Sequence, residues 1–370
     1  DPSVQRFSGY DQINLLQKVR FKPTEKLDIQ YSFTYAGTGD APRYDRLIQY
    51  RNGNLRFAEW NYGPMLWRMH NLQVLHNKKN ALYDEARVTV AYQNYDESRI
   101  DRTRANNTRN IQAEKVNAVS INADASKKLG KGELFYGLEY VHNKVGSFGE
   151  KTNISTNITT PLVTRYPNGS TWSTAGVYGS YKVNLHTKFT LTTGLRYSYN
   201  MLDATFDTTF IKFPYKEAKL RDGALTGNAG LVFRPADGWQ LNGNISTGYR
   251  MPNVDDIGKL FESVPGNVTI PNPDLTPEYA WNFEVGKIKN IVKKFRIELN
   301  AFHTILNDAI VRRPATFNGQ DSIVFGGVKS RVEALQNVAK ATVSGFQVSA
   351  EYYFIDGLSL QTHANWITGK

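Results

Sequence analysis

The segment Phe189-Thr190-Leu191-Thr192-Thr193-Gly194-Leu195-Arg196-Tyr197-Ser198-Tyr199-Asn200-Met201 decides the fold class. Its odd-numbered positions are mostly apolar or aromatic, and its even-numbered ones are Thr, Thr, Gly, Arg, Ser and Asn. Successive side chains of an extended chain point to opposite faces, so this spacing makes a strand with one apolar side and one that requires water. No period near 3.6 competes with it.

The same alternation recurs along the chain. Leu27, Ile29, Tyr31, Phe33 and Tyr35 alternate with Asp28, Gln30, Ser32 and Thr34; Trp239, Leu241, Ile245 and Tyr249 with Gln240, Asn242, Asn244, Ser246 and Arg250. Phe346, Val348, Ala350, Tyr352 and Phe354 repeat it, as do 175–185 and 358–366. Short connections fall near 22–26, 128–132, 186–188, 235–238, 290–294 and 355–357, and between them lie long ones near 37–64, 99–110, 145–171, 204–222, 251–277 and 308–334. Tight turns on one rim and long loops on the other are the rhythm of an up-and-down antiparallel sheet, here of about fourteen strands, many about 10 to 13 residues long. A soluble sandwich or propeller would use strands nearer 5 to 6 residues, so strand length favours an all-β transmembrane barrel. Leu27, Ile29, Tyr31, Phe33, Leu191, Leu195, Leu241, Ile245, Phe346 and Val348 are then expected to face lipid. Tyr35, Tyr199, Tyr249 and Trp366 fall near the long-loop rim and Trp239 near the opposite one, where interfacial aromatics belong.

Composition narrows the function. The 370 residues contain no cysteine, which removes disulfides, thiolate metal sites and cysteine nucleophiles. Mean hydropathy is -0.48 and no run of about 18 apolar residues occurs, which excludes a transmembrane helix. The net charge of +11 comes from Lys and Arg scattered over turns, loops and one strand face, so nucleic acid is not expected as a partner. No nucleophile elbow, phosphate loop or His-Glu-x-x-His motif is present, and His70 and His76 stand too far apart to share a metal. The adjacent acids Asp255 and Asp256 read as turn-capping groups rather than a catalytic pair. No catalytic site, metal site or cofactor is expected.

Two adjoining segments are the most distinctive. Tyr249-Arg250-Met251-Pro252 closes one strand, and Asn272-Pro273-Asp274-Leu275-Thr276-Pro277-Glu278 ends the following long loop. Pro252 halts the ladder by removing a backbone donor, and the later prolines hold the return segment extended. The pair resembles the aromatic-Arg-Ala-Pro and Asn-Pro-Asn-Leu boxes of TonB-dependent outer-membrane receptors. The resemblance continues through Ala301-Phe302-His303-Thr304, Asp308 to Arg313, Gln336-Asn337 and Gly345-Phe346-Gln347, and upstream through Asn14 to Lys18 and Thr164 to Ser170. It implies that residues 1–370 are a partial barrel domain, about 14 strands of a 22-stranded barrel, without the N-terminal plug and its TonB-binding box.

The resemblance further implies a protein integral to the outer membrane of a Gram-negative bacterium, in contact with outer-membrane lipid and lipopolysaccharide. It implies uptake of a scarce nutrient, energised by TonB through the N-terminal region, with a ferric siderophore as the leading ligand. Haem receptors of the family carry a His between the two boxes, and 254–271 holds none. Ferric siderophores are mostly anionic, and the loop residues Arg43, Arg46, Arg51 and Arg165 with Tyr44, Tyr50, Trp60 and Tyr62 offer charge and stacking for such a ligand. A passive porin or a structural barrel is the rival reading: it shares the alternation but needs neither box.

Overall fold

The computed structural model describes residues 8–51, 53–264, 266–291, 294–325 and 327–370; the undescribed positions 52, 265, 292–293 and 326 fall in expected turns and loops. Fourteen long strands form its frame: β1 (Gln12–Thr24), β2 (Leu27–Thr38), β3 (Met65–Asn77), β4 (Glu85–Thr103), β5 (Thr108–Leu129), β6 (Gly132–Asn153), β7 (Ser170–His186), β8 (Phe189–Thr205), β9 (Glu217–Phe233), β10 (Trp239–Arg250), β11 (Glu278–Ile291), β12 (Phe295–Pro314), β13 (Val328–Ile355) and β14 (Leu358–Gly369). Each pairs antiparallel with the next in chain order. Gly238 and Gly357, at φ 72° and 86°, supply the left-handed backbone that two of the tight turns need. The turn over 78–84 was not among the short connections read from the sequence; Asn80, not glycine, folds it, by accepting from the N–H groups of Leu82 and Tyr83. β1 and β14 are exposed along their whole length and no ladder joins them.

Alternation sorts the two faces as expected. Tyr31, Leu195, Leu241, Ile245 and Phe346 are exposed, and Leu27, Ile29, Phe33, Leu191 and Val348 are half-exposed. None of the ten joins a buried cluster. A sheet this large with an uncovered apolar face requires hydrocarbon, not water, on that side. The other face carries a polar network: Arg196 donates to Glu139 at 2.7 Å and to Ser198 at 2.8 Å, Asn122 donates to Glu139 at 3.2 Å, and Tyr178 donates to Asp124. Such groups would be costly in lipid and are at home in a hydrated lumen.

The long loops differ most from the sequence reading. Much of the expected loops at 99–110, 145–171 and 308–334 is strand, because β4, β5, β6, β12 and β13 run on beyond the length a bilayer needs. Charged and polar residues there alternate without an apolar stripe, so hydrophobic pattern alone could not mark them as strand. The buried apolar clusters also lie at this rim. One joins Leu202, Ala204, Phe206 and Ala218 to Val254, Ile257 and Leu275; the second joins Leu260, Val268, Ile270 and Phe317 to Val332 and Ala334. Asn267–Ile270, within the loop between β10 and β11, pairs in parallel with Arg331–Ala334 of β13. The long-loop rim is thus a packed layer with a core of its own.

Candidate functional site

The two distinctive motifs build the base of the loop between β10 and β11. Arg250 donates to both carboxylate oxygens of Asp256 at 2.8 Å and to Glu278 Oε2 at 2.8 Å. Those acids are nearly shielded, their side chains 10% and 12% exposed. Asp256 closes a capping box with Asn253 on the short helix α1 (Val254–Gly258), and Glu278 Oε1 accepts from the Ile310 N–H. One guanidinium therefore ties the end of β10, the loop helix and the start of β11.

The second motif clips the returning chain. Asn272 donates through its backbone to the Ile257 carbonyl and through Nδ2 to the Leu335 carbonyl, and its Oδ1 accepts from the Asp274 N–H. Leu275, Met251 and Pro252 are buried. Tyr249 donates to the Met251 sulfur at 3.5 Å. Asn337 accepts from the Thr276 N–H and donates to the carbonyls of Thr276 and Asp308. Pro273 and Pro277 keep the chain extended between these clips. The motif residues are scaffold groups, turned towards one another.

A second arrangement runs along the loops and the polar strand face. The Arg43 guanidinium lies 5.3 Å from the Trp60 ring centroid and 5.0 Å from that of Tyr62, and donates to the Tyr62 hydroxyl at 2.7 Å. Arg46 lies 5.6 Å from Trp60. On the other side, Tyr62 meets Arg99 of β4 at 5.5 Å, and Arg99 holds Glu97 and Glu114. Arg165 then stands 5.2 Å from Phe261, a ring it shares with Lys259 at 4.8 Å and Arg312 at 5.4 Å. Arg56 donates to Glu262 at 2.6 Å and links the first loop to the one that carries Phe261. Asp45 and Asp255 balance Arg43 and Lys259, whereas Arg46, Arg165 and Arg312 have no carboxylate in ion-pair range among the described residues. Arg46 Nε is buried without a hydrogen-bond partner.

Of the loop residues singled out in the sequence, Arg43, Arg46, Trp60, Tyr62 and Arg165 belong to this lining. Tyr44, Tyr50 and Arg51 do not: Tyr50 is 72% exposed, and Arg51 sits in a small hairpin with Asn54–Leu55. Sequence reasoning missed Arg99, Lys259, Phe261 and Arg312. Strand alternation could have found Arg99, since it shares the polar face of β4 with Gln93 and Tyr95, but Phe261 is placed by tertiary contacts alone.

The anchor beside Phe261 is expected to respond to pH. Burial pushes the Tyr166 hydroxyl well above its ordinary range, so it stays a donor to Asp255 at 2.6 Å. Burial would raise the Asp255 carboxyl too, but the bonds from Lys259 and Tyr166 outweigh it and hold the group below its usual range. A carboxyl depressed in the folded state contributes stability above its unfolded value, about 4, and loses it as pH falls through the folded value. The tie between α1 and Tyr166 is therefore expected to hold from neutral pH down to about 4 and to loosen below it. Protease cleavage of the 251–277 loop, followed against pH, checks this: Asp255→Asn should flatten the acid limb, and an unchanged limb would assign it to other groups.

A long up-and-down sheet with a lipid-facing side, a hydrated side and a packed layer of loops at one rim defines an outer-membrane β-barrel. The chain belongs to the TonB-dependent receptor family: the family model described as TonB dependent receptor-like, beta-barrel, matches residues 4–369. Among solved structures, the copper transporter OprC superposes with a TM-score of 0.78 at 14% identity, over 98% of this chain and 53% of its own. The hemophore receptor HasR of Serratia marcescens gives 0.71 at 14% identity, over 98% and 55%. The ferric yersiniabactin uptake receptor FyuA of Yersinia pestis gives 0.66 at 14% identity, over 98% and 52%. The iron-regulated outer membrane virulence protein of Vibrio cholerae is 33% identical over 75 residues, which are 20% of this chain and 12% of that protein. The chain spans about half the length of these solved receptors and matches a smaller share of the Vibrio protein.

Proposed function

We propose that this chain is the capture and channel-wall part of a receptor that imports an anionic iron complex, most simply a ferric siderophore, at the expense of TonB. The observation that carries the reading is the lining from Arg46 through Arg43, Tyr62 and Arg99 to the Arg165, Lys259 and Arg312 cluster, which sets cations against aromatic rings and leaves three of them with no carboxylate in ion-pair range among the described residues. Such a surface offers charge-assisted hydrogen bonds to carboxylate or phenolate groups and flat faces to aromatic ones. Relatives named for iron regulation and ferric yersiniabactin uptake support iron as the cargo. On this reading the remaining strands, the plug and the TonB-binding segment belong to the rest of the protein, and β1 and β14 find their partners there. Lipopolysaccharide and outer-membrane lipid surround the apolar face.

Capture requires only the loops, while import requires work transmitted through the plug. Accumulation of radiolabelled ferric siderophore is therefore expected to stop in cells lacking TonB while surface binding persists. Equal import in both strains would make this a passive pore, the rival reading.

A further inference from the structure

On the apolar face of β10 and β11, facing pairs climb from the short-turn rim as Trp239 with Lys289, Leu241 with Lys287, Gly243 with Val285 and Ile245 with Phe283. The Lys287 and Lys289 ammonium groups lie 4.7 and 4.4 Å from the Trp239 ring centroid, and neither has a carboxylate in ion-pair range among the described residues. Immediately above them the same face is hollowed into a groove of about 650 Å³, bounded by Leu231, Ile245, Phe283 and Val285. Gly243 leaves the hollow open, for a side chain built there would meet nothing within 4 Å.

Each feature has an ordinary explanation alone, but their order along one strand pair does not. Lysines on a lipid-facing strand belong at the level of headgroups, and a Trp beside them belongs at the boundary with hydrocarbon. An apolar hollow that begins one strand step further in, about 7 Å per two residues, lies at the depth of an acyl chain. The short turns of such barrels lie on the periplasmic side.

We propose that this face is a binding site for a phospholipid of the periplasmic leaflet with an anionic headgroup. Its phosphate is held by Lys287 and Lys289, its glycerol region rests on Trp239, and one acyl chain fills the groove over Gly243. The two lysines, without a carboxylate in ion-pair range among the described residues, select a net negative headgroup over a zwitterionic one, because the cation of a zwitterionic headgroup offsets its own phosphate and is repelled by both ammonium groups. The groove selects a lipid over a free phosphate. This site is independent of the cargo and of TonB.

The test is native mass spectrometry of the complete receptor, equilibrated with equal amounts of phosphatidylglycerol and phosphatidylcholine of identical chains. The wild type is expected to retain phosphatidylglycerol with up to about thirtyfold preference, the upper limit of what two lysines at a lipid surface supply. Lys287→Gln with Lys289→Gln should retain the two lipids equally, Gly243→Leu should lose both, and excess glycerol 3-phosphate should displace neither from the wild type. Should Gly243→Leu fail to fold as a heat-resistant barrel, Gly243→Ala should lower retention of both lipids in the same direction. No preference in the wild type, a preference that survives in the double lysine variant, groove variants that retain lipid as the wild type does, or displacement by glycerol 3-phosphate would each overturn the proposal.

Discussion

Replacing Arg250 by Ala is expected to free the loop between β10 and β11 while the barrel stays folded. The change leaves Asp256 and Glu278, each about nine-tenths shielded, without their shared counter-charge, and removes three charge-assisted hydrogen bonds. The guanidinium is itself 48% exposed, so water screens part of the loss. A net cost of about 2 kcal/mol remains, concentrated on the loop. That corresponds to roughly thirtyfold more frequent opening of the segment. Protease cleavage within 251–277 on intact cells should accelerate accordingly, and ligand capture should weaken because α1, Lys259 and Phe261 are carried on the same segment. Arg250→Lys should recover only part of the effect, since an ammonium cannot reach two carboxylates with a planar fork. Cleavage at the wild-type rate in Arg250→Ala would show that the clip is redundant with the Asn272 and Asn337 contacts.

The second large effect concerns the lining. Replacing Arg43, Arg46 and Arg165 together by Ala is expected to lower affinity for an anionic ferric siderophore by about two to three orders of magnitude, since each arginine removed takes with it a partly exposed charge-assisted hydrogen bond of roughly 1 kcal/mol or somewhat more. The effect should shrink as ionic strength rises, because the wild type loses its electrostatic attraction to screening while the variant has little left to lose. Arg51→Ala is the control: this residue lies outside the lining, so its removal should leave affinity near the wild-type value. Equilibrium binding of the labelled complex to outer-membrane vesicles reads both arms. A triple variant that binds as tightly as Arg51→Ala would move the capture site elsewhere and leave the lining a structural ion network.

The strand frame was legible in the sequence because lipid and lumen impose opposite demands on alternate residues, and segments such as 189–201 record both. Turn chemistry recorded most of the short connections as well, for example through Gly238 and Gly357. The turn at 78–84 escaped because an asparagine folds it through side-chain bonds that composition does not reveal. Beyond the membrane the two-solvent rule ends. Both faces of the extended β4, β5 and β6 meet water or other loops, so their residues carry no apolar stripe although they remain strand.

The family motifs could be located from the sequence, but not interpreted. Proline positions showed a rigid loop base, whereas the convergence of Arg250 on Asp256 and Glu278, and of Asn337 on Thr276, depends on strands that meet only in the folded sheet. The proposed capture surface was half legible. Arg43, Trp60 and Tyr62 lie close in sequence and read as a basic, aromatic loop, and the fold keeps them together. Arg165, Lys259, Phe261 and Arg312 come from three separate segments, and no local pattern links them. What the sequence determined by itself was therefore the class of protein and the direction each strand residue faces, because those follow from a solvent that repeats every second residue. Which cations share a ring, which carboxylates are shielded and which lysines border a groove was decided only by the tertiary structure, because those contacts join residues whose separation along the chain bears no relation to their distance in space.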